Sequence, residues 1–298
     1  MAVQLKNISE INAVSGNEVK LRKYIEENIR AERLEVDTMG NLIAFVKGKK
    51  HDKTLAIVTH MDESGFIVSD FTDKGYIKFR EVGNVDALSV ISKRVIINES
   101  VRGVIGMKAI HLQKADERKN AVKLKDLFID IGAKDKNEAE KYVKKGDYIA
   151  FDTKFAQIGK KVKGKALDRV GVYAQICSMS EQPQYDTYFI FTVQKEVGSR
   201  GAAVLTERIK ADFAVVLGTV QSGDMFGSKI HAAKLGGGVA VSSMNKKMIA
   251  DVQLTEQVRR AAENNNVKIQ RICSMADFSD WEIGYIPNCR CIMADIPI

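Results

Sequence analysis

Two short stretches of this chain carry residue types able to do chemistry. His60-Met61-Asp62-Glu63 sets an imidazole two residues ahead of a carboxylate, and Gln194-Lys195-Glu196-Val197-Gly198 sets an ammonium beside one. A neutral imidazole and a carboxylate are ordinary ligands of zinc-like divalent ions. An imidazole ligand is usually oriented by a second carboxylate, a role open to Asp62. The plainer reading of His60 is a polar turn after a strand. Asp168, in Leu167-Asp168-Arg169-Val170-Gly171, has the same two readings, because a carboxylate at a helix N-terminus also caps free N–H groups. Glu196 can ligate a metal or simply hold Arg200. Taken singly, each residue favours the structural reading. Taken together, they fall in order just after strands or at element boundaries, where open α/β sheets gather ligands.

The elements that must position these residues alternate strand and helix. Leu21, Tyr24, Ile25 and Ile29 recur at helical spacing after the turn-forming Ser15-Gly16-Asn17. Residues 34–37 alternate, Gly40-Asn41 turns, and 42–46 run apolar, which predicts a strand pair. Residues 54–59 form a continuous β-rich run ending at His60, as an interior strand of an α/β sheet would. From about Gly65 to Lys163 the pattern changes to short alternating segments punctuated by turns, such as 75–80, 94–97 and 101–106. That predicts a small barrel or sandwich, with one helix near 137–144. After Lys163 the α/β pattern returns. Helices are expected at 171–179, 202–209 and 255–264, and strands at 187–193, 213–217 and 289–293. The expected architecture is an α/β domain over 1–65 and 164–298, interrupted by a β-rich domain over 66–163.

A chain of 298 residues, 45% hydrophobic, is long enough for a sizeable core. Its 4 cysteines form no C-x-x-C pattern, which argues against a disulfide framework or structural zinc. Cys289 and Cys291 would share one face of a strand, reading first as burial and second as a redox pair. The formal charge of +8 is spread among acidic residues, as in Lys114-Ala115-Asp116-Glu117-Arg118-Lys119, so a mixed solvated surface is expected rather than a nucleic-acid site. No apolar run approaches a membrane span and the first residues carry no secretion signal, so a cytoplasmic protein without membrane partners is expected.

Several stretches together carry a resemblance. They are Gly40-Asn41-Leu42-Ile43-Ala44, residues 60–66, Gly103-Val104-Ile105-Gly106, His111-Leu112, residues 126–133, Gly146-Asp147, and residues 194–202. In these the chain resembles the tetrahedral aminopeptidase family of dimetal exopeptidases, known also as glutamyl aminopeptidases and as endoglucanases. The resemblance implies a three-layer α/β catalytic domain with an inserted small β-barrel used as lid or for assembly. It also implies two adjacent divalent ions, zinc or cobalt, and cleavage of N-terminal residues from peptides with a glutamate as general base.

Carried over by position, the resemblance puts His60 and Glu196 on metal ligands, Asp168 on the bridging ligand, and Asp62 on the carboxylate supporting His60. The family's general-base glutamate falls on Lys195. A ligating aspartate falls on Gly218, and the last ligand, a histidine near the C-terminus, has no counterpart. The family's paired acidic residue before Arg169 is a single Asp168 here. His231 and Asp277 lie off the ligand positions, and residues 234–238 match a glycine-containing loop near the site.

An impaired or inactive aminopeptidase relative is therefore expected, holding one ion or none, with Lys195 supplying a metal's charge inside a buried salt-bridge cluster. Two alternatives stay open. One is an active enzyme with an altered or single-metal site that recruits another ligand such as Asp224. The other is a non-catalytic subunit that binds peptides or amines. The expected partners are peptides with a free N-terminus and either further copies of the chain, from dimer to dodecamer, or intact paralogues in a mixed assembly.

Overall fold

The structure is a computed structural model that describes residues 4–113, 120–224, 227, 233–273 and 280–298. In chain order its strands are β1 Arg33–Val36, β2 Leu42–Val46, β3 Lys50–His60, β4 Gly65–Phe71, β5 Ile77–Val82, β6 Arg94–Ile97, β7 Val101–Gly106 and β8 Phe128–Asp130. They continue with β9 Tyr148–Phe151, β10 Ala156–Ile158, β11 Lys161–Lys163, β12 Tyr185–Thr192, β13 Phe213–Val220, β14 Val239–Met244, β15 Ile269–Cys273 and β16 Arg290–Pro297. The chain divides into two units: one comprises residues 1–9, 18–62 and 167–298, the other residues 10–17 and 63–166.

The first unit is built on an eight-stranded sheet of order β1-β2-β12-β3-β13-β16-β14-β15. Strands β12, β3, β13 and β16 run parallel at its centre. They are apolar because helices or turns cover both faces. On one face Ala56, Val58, Ile190, Val216 and Met293 pack with Ala202, Leu205 and Ile209. On the other, Ile292 packs with Leu254 of helix Val252–Asn264. Helix Val170–Ser178 also lies on this second face. It comes so close that a Cβ on Gly171 would stand 2.4 Å from the Thr59 hydroxyl. The β1–β2 hairpin is held by Asp37, whose Oδ1 accepts from the N–H groups of Met39, Gly40 and Asn41.

In the second unit β4-β5-β8-β7-β6-β9 close into a barrel, which decides between the two expected β architectures. Phe66 anchors its interior, edge-on to Phe79 at 4.7 Å and to Phe151 at 5.5 Å. Such closure leaves no unpaired strand edge in the ring.

Local differences from the expected elements have local causes. The helix expected over 202–209 is a single turn, Arg200–Ala203, because the backbone then tightens into successive turns while still burying Leu205 and Ile209. The last strand runs on to Pro297, since β13 offers it partners as far as Val220. The polar Asp295 hid that extension from a reading based on apolar runs. Cys291 is a buried core residue, and burial pushes its thiol up to about 12. Among the described residues no helix is long and apolar enough to cross a membrane.

Candidate active site

The parallel register of β3 and β12 sets His60 opposite Thr192 at the ends of two adjacent strands. The pairing continues one residue further, with the Met61 N–H donating to the Thr192 carbonyl at 2.8 Å. This delivers Asp62 to the turn that follows β12. Its two carboxylate oxygens accept from the N–H groups of Lys195 at 3.0 Å and Glu196 at 2.9 Å. The turn is sharp, with Gln194 at φ +57° and Ser199 at +47°. A non-glycine residue pays about 1–2 kcal/mol there, which persists only where surrounding bonds fix the backbone. They do so here: the Gln194 N–H donates to Glu18 Oε1 at 3.0 Å, and the Gly201 N–H returns to the Val193 carbonyl at 3.1 Å.

His60 is 1% exposed. Its Nδ1 lies 3.2 Å from the Asp62 carbonyl and 3.5 Å from Asp62 Oδ1. Its Nε2 has no hydrogen-bond partner and stands 3.8 Å from Asp168 Oδ2. Asp168 sits in the short 3-10 helix Leu167–Arg169, and among the described residues its Oδ1 accepts from the adjacent Arg169 N–H at 3.1 Å. It is therefore not the cap of helix Val170–Ser178, whose N-cap is Arg169 with no side-chain bond. Arg169 is itself fully buried. Its Nε donates to the Met61 carbonyl at 2.7 Å, tying the Asp168 segment to the chain that leaves His60. Glu196 pairs with its neighbour Lys195, Nζ to Oε1 at 2.7 Å, and both side chains are nearly enclosed, at 11% and 13% exposure.

The electrostatics follow from this crowding. Burial pulls the Lys195 ammonium down, but Glu196, Asp168 and Asp62 outweigh it and hold the pKa above the ordinary lysine value. The 2.7 Å contact with Glu196 holds the ammonium in place. Burial also pulls His60 down, while its contact with Asp62 and the charge of Asp168 outweigh burial and Lys195 and carry it upward. Burial dominates at Asp168 and raises its carboxyl, opposed by His60, Arg169 and Lys195. Residue-by-residue reading missed Asp280. It is 1% exposed, its Oδ2 accepts from the Thr192 hydroxyl, and its Oδ1 has no partner. Nothing local in the sequence marks it, since only folding brings it to the end of β12.

The remaining candidates lie elsewhere or carry no donor. Gly218 lies inside β13 opposite Asp295 of β16. Asp224 is exposed and accepts the Leu235 N–H at 2.6 Å. His111 is exposed in the 3-10 helix Ile110–Leu112 of the barrel unit. His231, Asp277 and the run 114–119 lie outside the described residues. Among the described residues no group of three or more His, Cys, Asp or Glu side chains is arranged to hold a metal ion. The unpartnered His60 Nε2 facing Asp168 supplies two donors suited to one divalent ion. Among the described residues these side chains do not supply donors for a pair of ions, because Glu196 is paired with the Lys195 ammonium and Gly218 brings no side-chain donor.

Comparison with known proteins yields one consistent picture. The family model for the M42 glutamyl aminopeptidase matches residues 40–280. A protein of Acetivibrio thermocellus named "Putative aminopeptidase" is 36% identical over 271 residues, covering 89% of this chain and 80% of that protein. Among solved structures, a TET aminopeptidase from the marine sediment archaeon Thaumarchaeota archaeon SCGC AB-539-E09 superposes with a TM-score of 0.89 at 30% identity. It covers 98% of this chain and 87% of its own. The Pyrococcus horikoshii TET1 peptidase, which can assemble into a tetrahedron or a large octahedral shell, has a TM-score of 0.86 at 28% identity, covering 99% and 90%.

Proposed function

Since the chain belongs to the M42 glutamyl aminopeptidase family, we propose that it is an aminopeptidase relative with little or no catalytic activity, serving as a structural or regulatory subunit of an oligomer. One observation carries this reading: the nearly enclosed ion pair between Lys195 and Glu196, 2.7 Å apart. Lys195 stands at the position the resemblance gives to the general base. An ammonium held charged cannot take a proton from an attacking water. Loss of a general base lowers a hydrolytic rate by roughly 100- to 10,000-fold. The same ammonium supplies Glu196 with the positive charge that an ion would otherwise bring. Asp62 keeps both backbone N–H groups of the turn, so the frame of a binding site persists without the base.

The test is elemental analysis of the purified protein beside assays with aminoacyl chromogenic substrates. The expected result is less than one zinc or cobalt per chain and no chelator-sensitive release of product. Paired metal with rapid turnover, abolished by chelator and by His60→Ala, would overturn the proposal.

A second reading, a weakly active single-ion aminopeptidase, is favoured by the unpartnered His60 Nε2 beside Asp168. It requires one ion per chain and turnover that rises with added metal. The peptide N-terminus remains the proposed ligand in either case. The shell formed by the Pyrococcus horikoshii relative supports a homo-oligomer here.

A further inference from the structure

The barrel unit holds a cleft lined by none of the candidate site residues. It has a volume of about 460 Å³ and is formed by the segment before β6, the segment after β9, and the β10–β11 hairpin. Four cationic side chains line it: Lys93, Arg94, Lys154 and Lys163. Its one carboxylate, Asp152, is already claimed, lying 3.4 Å from Arg102 Nε and 3.8 Å from Lys154 Nζ. Among the described residues Lys93, Arg94 and Lys163 make no ion pair. Ser92 and Thr153 add hydroxyls to the same lining.

From this we infer that the cleft is a binding site for a compact polyanion bearing two or more phosphate groups. Lys93, Arg94 and Lys163 are like charges without an acidic partner among the described residues, and in a cleft the field of each reinforces the next. An anion that enters relieves the repulsion among them. The guanidinium of Arg94 offers a planar fork suited to a phosphate, the lysines act as mobile point charges, and the hydroxyls donate to remaining oxygens. The volume exceeds what a single inorganic phosphate fills and suits a chain of phosphates, free or carried on a nucleoside.

The position of the cleft has a backbone basis. The Asp152 N–H donates to the Arg94 carbonyl at 2.9 Å, extending the β6–β9 pairing and holding Arg94 next to the segment that carries Thr153 and Lys154. Ser92 takes a left-handed conformation at φ +64° that turns the chain into β6. The fold therefore brings two sequence-local pairs together, Lys93 with Arg94 and Lys154 with Lys163, which lie about 60 residues apart in the chain.

Isothermal titration of the full chain with inorganic tripolyphosphate at about 150 mM salt tests this, because exposed charges are largely screened there beyond a Debye length. Saturable binding is expected, weakened at least about tenfold in the double variant Arg94→Ser with Lys163→Ser. The control removes two lysines elsewhere on the same unit, Lys141→Ser with Lys144→Ser, and should change the affinity less than about twofold. Thermal melts establish that both variants fold. An arm with adenosine triphosphate distinguishes a nucleotide ligand, which binds more tightly, from a bare phosphate chain, which binds equally. Absence of saturable binding to the native protein, or equal weakening in both variants, would overturn the inference. Tetraglutamate binding as tightly as tripolyphosphate would overturn the phosphate class.

Discussion

On the reading proposed above, the charge of Lys195 sets what the site can do. Removing it as Lys195→Met leaves the Glu196 carboxylate nearly buried beside Asp168 and Asp62, and should cost about 3 kcal/mol, at the low end for a broken buried pair. Urea unfolding measures this, and an unchanged midpoint would argue that Glu196 finds other partners. Lys195→Glu adds a carboxylate where a cation stood. That variant should melt lower than the native chain in chelator and recover when zinc is added, while the native chain responds little. A melting temperature for Lys195→Glu that ignores zinc would remove the idea that the ammonium stands in for an ion. Asp62 and Arg169 act differently, since both bind backbone groups and so set positions.

At the scale of elements, the central sheet is tuned by close approaches and by one buried acid. Gly201 lies where a Cβ would stand 2.3 Å from Asn41 Oδ1 and 2.4 Å from the Val193 carbonyl. Asn41 in turn receives the Val193 N–H on Oδ1 and donates to the Gly201 carbonyl. Gly201→Ala should therefore destabilise the fold by about 2 kcal/mol or more through overpacking and a broken buried bond, read as a shift in urea midpoint at constant slope.

Asp295 on β16 is 6% exposed. Its Oδ2 accepts from Ser242 at 3.1 Å, its Oδ1 has no partner, and burial pushes its carboxyl up to about 7. The unfolded chain releases that proton near 3.8, so the folded state binds it more tightly across this interval. Its contribution to stability is full below pH 3.8, declines as pH rises, and levels off above about 7. The slope is at most about 1.4 kcal/mol per pH unit. Asp295→Asn should lack this decline, so the stability difference between the two proteins changes across this range and is largest near pH 8. Parallel curves would mean that Asp295 does not hold its proton in the folded state.

At the scale of the whole molecule, the central question is how many copies associate. A homo-oligomer is the expected state, to be read by native mass spectrometry or sedimentation at micromolar concentration, and a monomer throughout that range would remove the subunit role proposed above. The charge distribution gives a second whole-molecule property. Part of the cationic excess converges on the barrel cleft, while other charges are balanced in surface ion pairs such as Arg259 with Glu256 and Glu263. Exposed pairs of that kind contribute little each, and salt screens them.

The sequence alone determined the α/β pattern, the change to β-rich segments after Gly65 and the hairpin at Gly40-Asn41, because periodicity and turn chemistry act over a few residues. It also determined that an ammonium stands beside Glu196, since that adjacency is covalent. Which charged group stands against Glu196 was open between Arg200 and a metal, and the turn places the Lys195 ammonium 2.7 Å from it. Asp280 meeting Thr192, Arg169 tying the Asp168 segment to Met61, and the Lys93-Arg94 pair meeting Lys154 and Lys163 at one cleft all depend on residues far apart in the chain. Sheet register and burial bring such groups together, and no short-range pattern records where a distant side chain will end up.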